Sequence, residues 1–65
     1  MPQKLDVFRK EDDRVLWLGV TDTFKQAHDL MRADATTSAR GYVVLNLETG
    51  IKTAVSLEEV HKPKS

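Results

Sequence analysis

The residues of this 65-residue chain that could do acid–base chemistry are His28, His61 and the carboxylate pairs Asp12–Asp13 and Glu58–Glu59. General acid–base catalysis needs two such groups converging on one reacting atom. Asp12 and Asp13 are neighbours in a polar stretch and diverge, as do Glu58 and Glu59, and no spacing sets either histidine beside a nucleophile. A helical metal pair would need a second ligand four residues from His28, where Phe24 and Arg32 stand instead. Asp29, adjacent to His28, cannot share its face. Gly19, Gly41 and Gly50 are scattered and none opens the predicted helix, so no glycine-rich loop cradles a phosphate. The stretch Thr36–Gly41, with Arg40, suits a helix end or plain loop better than an anion site. The chain has no cysteine, which removes thiolate catalysis and sulfur-ligated zinc and leaves the cytoplasm as the default compartment. These observations predict a noncatalytic chain with no catalytic, cofactor or metal site.

Nucleic-acid binding is the second chemistry to weigh. Lys4, Arg9, Lys10 and Arg14 flank the first predicted hairpin, with Phe8, Trp17 and Tyr42 as possible stacking groups. Asp6, Glu11, Asp12 and Asp13 lie among those same basic residues, however. Over the whole chain ten Lys and Arg balance ten Asp and Glu. Local and global cancellation removes the phosphate attraction that supplies most of such affinity. A weak nucleic-acid-binding module using the first hairpin is the alternative function, and nucleic acid is a disfavoured partner. No window approaches the length of a membrane span, and "MPQKLDVFRK" has no apolar core of a signal peptide, so a soluble chain is expected.

The elements that must position these residues follow from periodicity. "KLDVFRK" alternates, with Leu5 and Val7 on one side and Phe8 on the other, and "RVLWLGV" is a second strand. The acidic cluster Glu11–Asp13 between them suits a hairpin turn. From Thr23 the period changes to that of a helix, with Phe24, Ala27, Leu30 and Met31 on one stripe. Thr23 and Gln26 match a capping box, with Thr21 and Asp22 as alternative caps, and the helix stops between Ala33 and Arg40. Gly41 would suit the helix end if the helix runs that far. "GYVVLNL" and "IKTAVSL" are two further strands, the first with Val43, Leu45 and Leu47 on one face and the second with Ile51, Val55 and Leu57 on one face. "ETG" between them is a hairpin loop in which Gly50 takes the left-handed position. Residues 59–65, with Pro63, are expected to form a flexible C-terminal tail beyond a single domain over 1–58.

The predicted fold is α+β with ββαββ order: two β-hairpins flank one helix, and the helix covers one face of a four-stranded, mainly antiparallel sheet. One helix has one apolar stripe, so the other sheet face stays open. Strict alternation places Val15, Trp17 and Gly19 on one face of the second strand and Leu16, Leu18 and Val20 on the other, unless a bulge near Gly19 reassigns them. Either way, large apolar groups reach the open face. The expected interface set is Phe8, Leu16, Trp17, Leu18, Tyr42 and Val44. A chain this short has a small core and no disulfide, so oligomerisation is the remaining source of stability. The function expected is a protein-association module, with a second copy of the chain the most economical partner and another protein possible.

The elements "VLWLG", a helix carrying Ala27, and "RGYVVLNLETG" resemble a loose set of short, uncharacterised bacterial α+β proteins. The likeness covers Trp17, Leu18, Ala27, Gly41, Tyr42, Thr49 and Gly50, roughly positions 5 to 55. It implies no activity, because that set has none assigned.

Overall fold

Strand β1, Leu5–Lys10, lies inside the sheet because both of its edges are taken. On one side it pairs antiparallel with β2, Val15–Thr21, through the Glu11–Arg14 turn, where the Glu11 N–H donates to the Arg14 carbonyl at 2.8 Å. On the other it pairs antiparallel with β3, Gly41–Asn46, which pairs in turn with β4, Lys52–Val55. The sheet order is β2-β1-β3-β4. The structure is a computed structural model that describes residues 4–34 and 37–61, without the side chain of His61.

The order explains the helix. β2 and β3 are both antiparallel to β1, so they run parallel to each other with β1 between them, and their connection must cross one sheet face. That connection is α1, Phe24–Asp34. It buries Ala27 and Met31 against Leu5, Val7, Tyr42, Val44 and Val55, with Leu30 and Leu18 half-buried at the margin. The α+β, ββαββ architecture with one helix over a four-stranded antiparallel sheet is therefore present.

The start of α1 follows the expected chemistry with one variation. Thr23 caps it, its Oγ1 accepting the Gln26 N–H at 3.1 Å. The Gln26 side chain reaches back one residue further than in a standard capping box, its Oε1 accepting the Asp22 N–H at 3.0 Å. Gly41 is not at the helix end; it opens β3, where a Cβ would lie 3.3 Å from the Val55 carbonyl oxygen. In the second hairpin Gly50 has φ 75° and donates its N–H to the Asn46 carbonyl at 2.7 Å, the left-handed role expected of it.

Three expectations are corrected. Phe24, placed on the buried stripe, is half exposed at the first turn of α1. The tail does not begin at Glu59: a short helix α2, Leu57–His61, docks beside α1, and its Val60 is fully buried. Ser56 caps α2, accepting the Glu59 N–H at 3.2 Å, and the acidic Glu58 and Glu59 of the first turn suit its positive end. Residues 62–65 of the expected tail lie outside the described ones.

The third correction concerns β2, where strict alternation gives way to the alternative, a bulge near Gly19. Val7 faces Gly19 and Phe8 faces Trp17, so Leu18 is an extra residue, a β-bulge. Beyond it the faces swap: Val15, Trp17 and Val20 share one face, while Leu16 and Gly19 share the helix face and Leu18 packs against the core. Gly19 leaves room for α1, since a Cβ there would lie 3.3 Å from Leu30 Cδ2. This is why a run of apolar residues serves one strand: half go under the helix and half onto the open face.

Replacing Thr23 with alanine removes the cap and should lower stability by about 1 kcal/mol, read as a reduced denaturation midpoint. An unchanged midpoint would move the cap to Thr21 or Asp22.

Candidate functional site

The open face is best described by the register. Its residues line up across the strands in three rows: Val20, Asp6, Leu45 and Lys52; then Trp17, Phe8, Val43 and Ala54; then Val15, Lys10 and Gly41. The middle row is uncharged from edge to edge. Trp17 is 60% exposed, Val15 57% and Val20 48%, values that mark large apolar groups left in water. Phe8, Val43 and Leu45 are half-buried and line a hollow of about 380 Å³ with Val15, Lys10 and Lys52. The Trp17 indole N–H donates to Asp6 Oδ1 at 3.2 Å, which fixes the ring diagonally across β1 and β2.

Of the residues expected at an interface, the structure brings Phe8 and Trp17 together on this face. Leu16 and Leu18 are on the helix side, half-buried. Tyr42 and Val44 belong to the core beneath α1, each 1% exposed, and so are not on the open face. Val43 and Leu45 take their place, joined by Val15 and Val20. Both faces of β3 are apolar, so alternation alone does not choose between Tyr42–Val44 and Val43–Leu45. The register settles it, with Phe8 facing Val43 directly.

Asp6, Lys10 and Lys52 share the open face with the apolar row, whereas several other polar residues are engaged away from it. Arg9, on the helix face of β1, donates from Nε to Glu11 Oε2 at 2.9 Å and from Nη1 to Asp34 Oδ1 at 2.8 Å. The Tyr42 hydroxyl donates to Asp34 Oδ2 at 3.0 Å, and Ser38 Oγ donates to Glu11 Oε2 at 3.1 Å. This partly buried cluster ties the last residue of α1 to β1 and β3. Arg14 pairs with Asp13 at 3.3 Å. Arg40 pairs with Asp12 at 2.9 Å and holds that carboxyl below its ordinary range by hydrogen bonding and charge. Of the basic and aromatic residues proposed to meet nucleic acid, Arg9 and Arg14 are thus engaged by carboxylates and Tyr42 is buried.

The acid–base candidates do not converge. His28 Nε2 lies 3.2 Å from the Glu59 carbonyl oxygen, a contact that joins α1 to α2. Asp12 and Asp13 sit in the first turn, and Glu58 and Glu59 in α2. Among the described residues no group of three His, Cys, Asp or Glu is placed to hold a metal. A second hollow, about 430 Å³, opens between α1, β4 and α2 beside Phe24, with Lys25, His28, Asp29 and Glu59 among its lining. Phe24, Met31 and Val55 make its lining largely apolar, but charged Lys25, Asp29 and Glu59 break it up, whereas the open sheet face carries a continuous apolar row.

Burial, then the hydrogen bond to Asp34, pushes the Tyr42 hydroxyl up to about 12. The fold favours the neutral phenol, so this contribution to stability is complete below the unfolded value near 10 and lost as pH rises through about 12. Tyr42 is the only tyrosine, so tyrosinate absorbance reports it alone. We expect its ionisation to be delayed until the fold loosens, with stability falling above pH 10 more steeply than in Tyr42→Phe. Titration at the ordinary value with the fold intact would remove Tyr42 from the core.

No helix among the described residues is long and apolar enough to cross a membrane. Comparison with protein families, with curated proteins and with solved structures gives no match to this chain.

Proposed function

We propose that this protein is a noncatalytic association module that homodimerises by stacking the open faces of two sheets. The observation that carries the reading is the middle row with its flanks: Trp17, Phe8, Val43, Val15 and Val20 form one apolar surface that neither helix covers. Apolar patches of several hundred Å² on small proteins commonly mark a partner surface.

The magnitudes set the strength of the dimer. Four strands about 4.8 Å apart and about six residues long give a face of roughly 400 Å² in projection. Burying about 400–600 Å² of apolar area per copy would contribute roughly 10–15 kcal/mol per copy before the costs of association and side-chain ordering, which are of similar size. The resulting interface lies at or just below the lower end of the specific range, and a micromolar or tighter dimer is expected. A second copy fits better than an oligonucleotide, because Asp6 lies beside the stacking aromatics Trp17 and Phe8 and offsets the nearby Lys10, and Arg9 is held by Glu11 and Asp34.

Light scattering should give twice the 7.4 kDa chain mass, and the thermal midpoint should rise with protein concentration. Trp17→Lys, on the open face, should yield a soluble monomer with α1 intact. Leu18→Lys, against the core, should unfold the chain. A wild type that is monomeric at about 100 μM, or two variants that behave alike, would contradict the reading.

A further inference from the structure

We propose that the two copies stack with their two-fold axis running across the strands, along the row of Trp17, Phe8 and Val43, so that Asp6 of each copy faces Lys10 of the other. This rests on the dimer reading above and specifies its geometry. Two identical sheets related by closed symmetry and stacked face to face have their two-fold axis in the plane between them. Aligned sheet packing lets that axis run along the strands or across them.

Charge decides between the choices. An axis along β1 would set Asp6 over Asp6 and Lys10 over Lys10. An axis along the strands but midway between β1 and β3 would exchange those columns, placing Asp6 over Leu45 and Lys10 over Gly41, with charges desolvated and unpaired. An axis across the strands through Phe8 exchanges the first and third rows instead. Asp6 and Lys10 each lie two residues from Phe8 along β1, so they swap places and form two equivalent ion pairs. One short and one long side chain suit the gap of about 10 Å between packed sheets.

Shape agrees with charge. The same exchange sets Leu45 over Gly41, which has no side chain to obstruct it, and Val20 over Val15. Lys52, on edge strand β4, falls at the rim. Among the described residues no ion pair within the chain uses Lys10, whereas Arg9 pairs with both Glu11 and Asp34, Arg14 with Asp13 and Arg40 with Asp12.

The test is a charge exchange read by sedimentation equilibrium at low salt, using wild type, Asp6→Lys, Lys10→Glu and the double variant. Each single change creates two like-charge contacts and should weaken the dimer about tenfold or more, and the double variant should return to within about threefold of wild type. High salt should shrink the differences. Lys10→Glu keeps the Trp17–Asp6 hydrogen bond, so its loss of dimer with unchanged helix content separates the interface from folding. A dimeric wild type with single variants equally dimeric, or a double variant weaker than either single, overturns this arrangement alone. A monomeric wild type overturns the dimer itself.

Discussion

One helix cannot cover two sheet faces, and most of this structure is a consequence of that constraint. Between β2 and β3 the chain has one connection long enough to form a helical layer, and it crosses β1 on a single side. β1 registers the asymmetry residue by residue: Leu5 and Val7 are fully buried beneath α1, while Asp6, Phe8 and Lys10 face away. Ala27 lets the helix approach closely, Gly19 yields to Leu30, and α2 closes the core with Val60. The second face receives no such layer, yet its middle row is apolar.

The helix is held in place at both ends. At its start the Thr23 cap and the Gln26 side chain satisfy backbone donors that α1 itself cannot. At its end Asp34 would be unfavourable against the negative end of the helix, but Arg9 and the Tyr42 hydroxyl both donate to it. That arrangement uses Arg9 and Tyr42 for architecture and withdraws them from the surface. Tyr42 therefore contributes to the core what a stacking aromatic would have contributed to a nucleic-acid platform.

Elements that announce themselves by local chemistry were legible in the sequence: the hairpin at Glu11–Asp13, the capped start of α1, and the left-handed Gly50. Face assignment was not, because alternation counts residues while a bulge adds one without changing composition. Leu18 is apolar, as its neighbours are, so nothing in "VLWLGV" betrays which residue is extra. In β3, where both faces are apolar and no bulge intervenes, alternation did not tell Tyr42 and Val44, which are buried, from Val43 and Leu45, which lie on the open face. α2 spans five residues, too few to show a helical period, although the Ser56–Glu59 spacing matches the S-x-x-E pattern of a helix start.

The central claim is that Trp17 is left in water by its own chain and covered by a second copy. Trp17 is the only tryptophan, so its fluorescence reports that face directly. The decisive measurement is acrylamide quenching and emission wavelength across protein concentration, from well below to well above the micromolar range. The account predicts red, readily quenched emission in dilute solution and blue, protected emission in concentrated solution, with the helix signal constant. Emission that stays red and fully quenchable at every concentration would contradict it.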